Sequence, residues 1–149
     1  MNKKLLILLI VSYLLAFSIN LMPAIKYPDL QIAMLNFLVS LVFMAFIVIC
    51  LKTGSQKLKK FIIGGTYAGI VIFFISELET YYISGSSIFD VIASIQYPVY
   101  LIFIVPLFGM NLLLDTSYEM FSLMTIIFYL VVWGIIDYFQ KKQVRLHNL

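Results

Sequence analysis

The side chains able to do chemistry are few in this sequence, and their spacing limits what each could do. Glu77 and Glu79 lie two residues apart. On a helix such neighbours point about 200° from each other, so they do not form one carboxylate pair. At 1.5 Å per residue from Phe61, Glu77 falls about 24 Å along its helix, near a headgroup boundary. There it is an interfacial acid that ends the helix; facing the bundle, it becomes a candidate ion or proton site. Asp137 poses the same choice. It ends a ladder of Thr125, Tyr129, Trp133 and Asp137, with Lys141 one turn on. At a membrane boundary Trp133 anchors and Asp137 pairs with that lysine. Turned inward, Asp137 is the best intramembrane acid of the chain and a second candidate ion or proton site.

Asp115 and Glu119 share a helical face, with Asn111 one turn earlier. Two carboxylates without histidine or a third acid make a poor metal site. A solvated turn that caps the next helix suits Asp115-Thr116-Ser117-Tyr118 better. Small and amide residues form the other pattern. Gly65 and Gly69, with Gly64 and Ala68 one register away, give a small-xxx-small helix face that lets backbones approach. Such a face predicts a packing seam within the monomer, or else one with a second copy or a partner subunit. Ala33, Asn36 and Ser40 recur at helical spacing, as do Ser12, Ala16 and Asn20. Both sets predict interhelical hydrogen bonding, with Asn20 near the outer interface.

What is scarce excludes more. A single cysteine, Cys50, rules out an internal disulfide, and a single histidine, His147, sits in a charged tail. Multi-cysteine metal centres, bis-histidine haem and histidine-based zinc sites therefore have no ligands, and no cofactor or metal is expected. Cys50 reads as a small hydrophobe. No nucleophile and base stand in a recognisable set, so the chain is not expected to be an enzyme. The net charge is +3, and its lysines flank apolar segments. Such flanks meet lipid headgroups, and nucleic acid is not an expected partner. Lysine outnumbers arginine nine to one, a coding bias that hints at a bacterial source.

The elements that carry these residues are read from composition. Of 149 residues, 63% are hydrophobic and 11% charged, against about 25% charged in soluble domains. A globule of this size has no room to bury that much apolar surface. The fold class is an all-α integral membrane protein, a small helical bundle in one polytopic domain over residues 1–149. Continuous apolar runs argue against barrel strands. Five segments suit about 20 spanning residues each: Leu5–Met22, Leu30–Leu51, Phe61–Leu78, Val91–Leu114 and Met120–Phe139. Ser84-Gly85-Ser86-Ser87 predicts a turn.

Hydropathy and charge disagree on topology. Basic clusters lie at Lys3-Lys4, Lys52 to Lys60 and Lys141 to Arg145. Five crossings place the last cluster opposite the first two, against the rule that cytoplasmic loops collect Lys and Arg. Four crossings put all three on one side, provided that Val91–Leu114, interrupted by Pro98, Pro106 and Gly109, enters and leaves on the same side. The length of that apolar segment favours five crossings. The N-terminus has the pattern of a signal peptide, with small residues near Ala16–Ser18; an uncleaved anchor with its N-terminus in the cytoplasm is the preferred reading.

Short loops leave no soluble domain. The expected role is a non-enzymatic accessory, assembly or immunity-type subunit of the plasma membrane, acting through intramembrane helix packing; the expected partners of the chain are the lipid bilayer and a membrane protein or a second copy of itself. The alternative is a small ion or solute transporter or channel using Glu77, Asp137 and the Pro98–Pro106 segment.

Overall fold

A computed structural model describes residues 2–53, 55–82 and 87–147, and the side chains of residues 2–53, 55–78 and 94–141. The described residues are helical, with no strand. Helix α1 spans Lys3–Lys26, α2 Met34–Leu51, α3 Gln56–Tyr82 and α4 Ser87–Phe103; a 3₁₀ segment follows over Val105–Leu112, and α5 covers Tyr118–His147. Four of these helices are long and apolar enough to cross a membrane, and a fifth span arises only if α4 and the 3₁₀ segment are one. The outward faces are as apolar as the inside. Val11, Leu35, Tyr67 and Ile127 are each more than half exposed.

Helix ends depart from the apolar limits because charged residues continue a helix beyond its greasy stretch. Thus α3 starts at Gln56 rather than Phe61, and α5 at Tyr118 rather than Met120. Helix α1 runs through Pro23 to Lys26. Leu30–Ala33, in contrast, lies outside α2, so Ala33 is an exposed N-cap residue and not part of a packing face. Residues 84–86 of the turn expected over 84–87 lie outside the described residues, as do the side chains of Glu79, Asp90 and His147, and Ser87 already begins α4.

Helices α1 and α2 form one antiparallel pair, α3 and α5 another, and the bent α4–3₁₀ segment lies between the pairs. Along α3 and α5, Lys59 meets Asp137, Gly65 meets Tyr129, and Ser76 meets Tyr118. That register sets the start of α3 beside the end of α5. At the same end, Leu6 and Leu9 of α1 share a cavity with Lys57 and Leu58. The basic residues Lys3, Lys4, Lys57, Lys59 and Lys141 therefore gather at one end of the bundle. Glu77, Asp115 and Glu119 lie at the other end.

Ser76 also fixes the path of the middle segment. Its Oγ lies 3.4 Å from Gln96 Oε1 and 3.0 Å from Tyr118 Oη. The chain thus leaves this level in α4 and is back at it when α5 begins. Between these points it reaches down to Phe103, which packs against Gly64, and turns by 74° into the 3₁₀ segment. Four spans stand among the described residues, or five if the bent pair is one span. Apolar length alone does not register that Pro106 breaks the helix, because a proline removes a backbone donor and clashes with the carbonyl four residues back.

Candidate functional site

A helix broken inside an apolar bundle exposes backbone groups that must find partners, since an unpaired buried polar group costs about 1–3 kcal/mol. Proline fixes which groups these are. Pro106 has no N–H, so the Ile102 carbonyl loses its helical donor. The Tyr13 hydroxyl of α1 donates to that carbonyl at 3.0 Å. The N–H of Leu107 turns to Ile104 at 2.9 Å, which frees the Phe103 carbonyl. Tyr129 of α5, fully buried, donates to it at 2.6 Å. Pro23 does the same within α1, where Asn36 Nδ2 donates to the Ile19 carbonyl at 2.9 Å.

The 3₁₀ segment is held by a single hydroxyl. Ser40 Oγ donates to the Pro106 carbonyl at 2.9 Å and accepts from the Gly109 N–H at 3.2 Å and Asn20 Nδ2 at 2.8 Å. One donor and two acceptor sites are all a serine hydroxyl has, so Ser40 is saturated. Gly109 is required at this contact: a Cβ there would overlap the backbone carbonyl of Asn36. Asn20 is 0% exposed. Its Oδ1 accepts from none of the described residues. One neutral oxygen is not a cation site, because hard cations take about six oxygens.

The two candidate ion sites fare differently. Glu77 is exposed, while its neighbour Ser76 is buried. A step of 100° along the helix separates them, and Ser76 shares the inward face with Ile72 and Gly69. The inward reading of Glu77 is therefore overturned. Asp137 does face α3, where it is bound by two cations: Lys59 Nζ at 2.8 Å and Lys141 Nζ at 2.8 Å. Lys59 further donates to Gln140 at 3.3 Å and lies 5.8 Å from the Trp133 ring centre. This is a latch between two helix ends.

The glycine face is occupied from within. A Cβ on Gly65 would come within 2.5 Å of the Tyr129 ring, and one on Gly69 within 2.5 Å of Ile126. Both residues thus admit α5, and no partner has access to them. Asn111 accepts from the Thr116 N–H at 3.1 Å and donates to its carbonyl at 2.8 Å, fixing the turn into α5. Asp115, at φ 46°, accepts from the Tyr27 hydroxyl. That bond to a carboxylate, with lesser help from burial, holds the Tyr27 hydroxyl above the ordinary phenol range. No group of three or more metal-binding side chains occurs among the described residues. Cys50 is buried.

Tyr13, Tyr129 and Gly109 were not singled out as partners of the break by sequence reasoning. Pro23 and Pro106 are the local signal that the carbonyls at 19 and 102 need another donor, but nothing local says which distant donor reaches them. No family model, no curated protein and no solved structure matches this chain.

Proposed function

We propose that this chain is a four-crossing protein of a bacterial plasma membrane. Its basic end, with the N-terminus and the end of α5, faces the cytoplasm, and the α4–3₁₀ segment dips in from the outside and returns. Support comes from the gathering of the described basic clusters at one end, the arrangement the positive-inside rule favours. Irregular backbone at membrane depth is tolerated where protein covers it, and here side chains from α1, α2 and α5 do so.

Within that frame, its role is non-enzymatic: an accessory, assembly or immunity-type subunit that works through its outward helix faces. The observation that carries this reading is that the inner polar network is spent on backbone groups, with Asn20 Oδ1 its one buried atom without a partner among the described residues. The hydroxyls and amides around the break bind backbone groups of the re-entrant segment, and the described carboxylates stand outside that network. Little polar equipment is left inside for an ion path. Because Gly65 and Gly69 are used internally, docking falls to the exposed faces of the helices.

The test is purification of tagged protein from its native membrane in mild detergent, with co-purifying proteins identified by mass spectrometry. A stoichiometric membrane-protein partner is expected. Recovery alone or as a homo-oligomer would overturn the accessory role and favour a small transporter or channel. The 74° break in a membrane-depth helix is the feature that recommends that second reading, since transporters use discontinuous helices. Flux into liposomes would then be measured.

A further inference from the structure

At the acidic end of the bundle a cavity of about 410 Å³ lies among α1, α3, α4 and α5, lined by Tyr27, Tyr97, Tyr100 and Tyr118 together with Gln96 and Ile72. Four phenol rings around one space is the first observation. The Tyr100 and Tyr118 rings stand 6.0 Å apart at 82°, so they form two perpendicular walls.

Three of the four hydroxyls are engaged elsewhere. Tyr27 donates to Asp115, Tyr118 Oη lies 3.0 Å from Ser76, and Tyr100 donates to the Ala24 carbonyl at 3.4 Å. The cavity therefore offers rings and aliphatic surface more than free hydrogen-bonding groups. Among the described residues, no charged side chain lines it. An anion would find no cationic partner there, and a metal ion no carboxylate. A weakly hydrated organic cation needs neither. It is attracted by the ring quadrupole and loses little hydration on burial.

Charge around the cavity favours the same ligand. Asp115 is tied to Tyr27, and Glu119 follows Tyr118 in α5. Asp29 and Glu77 lie at this end too, against Lys26 as its described base. A surface of that sign concentrates cations. The volume falls within the usual range for small-ligand pockets, about 300–1,000 Å³.

We propose that this tyrosine-lined cavity binds a quaternary ammonium group, carried either by a free solute or by a choline-type lipid headgroup. The proposal is independent of the accessory role, because it depends on the cavity alone.

The experiment is a calorimetric titration of choline into the full chain, held in nanodiscs of phosphatidylglycerol. A parallel titration uses 3,3-dimethyl-1-butanol, the uncharged isostere of choline. Saturable choline binding with at least about ten-fold weaker binding of the isostere is expected. Equal binding of the two would reduce the cavity to a plain apolar pocket, and no saturable choline binding would remove the site; either overturns the proposal without any variant. Tyr97, 62% exposed, is the wall least needed for folding. Tyr97→Leu should weaken choline by about two- to thirty-fold, and Tyr97→Phe should leave it unchanged, as one ring face is worth roughly that much. Unchanged affinity in Tyr97→Leu would sink the ring-face contact. Adding phosphatidylcholine to the discs separates the sources: apparent choline affinity falls if the headgroup is a ligand and holds if only the free solute is.

Discussion

Ser12 and Ser40 are both buried, at 4% and 0% exposure, yet their hydroxyls do different things. Ser12 bonds the Leu9 carbonyl of its own helix at 2.9 Å, a carbonyl that helix geometry already serves. Ser40 supplies partners that the broken segment has lost. Deleting it removes the side-chain partner of the Gly109 N–H and leaves Asn20, at 3.4 Å, as the described side-chain donor to the Pro106 carbonyl. Ser40→Ala should therefore destabilise the fold by about 1–3 kcal/mol, and Ser12→Ala by no more than about 0.5 kcal/mol. Unfolding of each variant by SDS in mixed micelles measures the difference. Equal, small effects would mean that the broken segment does not depend on Ser40. The sequence showed Asn36 and Ser40 as polar residues on one face of an apolar helix, which was enough to mark them. It did not show that Asn36 serves the Ile19 carbonyl 17 positions back, or that Ser40 serves backbone atoms 66 and 69 positions on.

Between elements, close approach of α3 and α5 depends on the absence of side chains. Gly65→Leu would drive the Tyr129 ring off its seat, and that ring caps the Phe103 carbonyl. Overpacking of this kind costs about 1–3 kcal/mol, with the loss of the cap added to it. Gly134 of α5 is the control, since a Cβ there meets nothing within 4 Å. Gly134→Ala should be neutral or stabilising by up to about 1 kcal/mol, the helix-propensity difference. Thermal unfolding in detergent, followed by circular dichroism, reads both. A destabilised Gly134→Ala together with an intact Gly65→Leu would place the helix contact on the wrong face. Stripe spacing in the sequence identified the glycines as a seam. Choosing α5 as the occupant needed the antiparallel register, which lies beyond local pattern.

For the whole molecule, the number of crossings has a direct readout. With Cys50 buried, single cysteines can be introduced at Ser117, before α5, and at Lys141, near its end. Four crossings with a cytoplasmic N-terminus predict that Ser117→Cys reacts with a membrane-impermeant maleimide in whole cells while Lys141→Cys is protected. Five crossings predict the reverse pattern. Asp29→Cys, outside in both arrangements, serves as the positive control, and Ser55→Cys, inside in both, as the negative one.

Composition alone determined the helical class, because so apolar a chain must close its backbone hydrogen bonds within each segment. It also fixed the approximate positions of the apolar segments and the prolines at which helical bonding must fail. Those are local properties, set by residue type and 1.5 Å of rise per residue. The tertiary structure decided the rest. It turned Glu77 outward and Asp137 onto Lys59, brought Tyr13, Ser40 and Tyr129 to the broken segment, and returned that segment to the level of Ser76. Each outcome depends on which helix faces which, and that choice is made by packing between residues far apart in the chain.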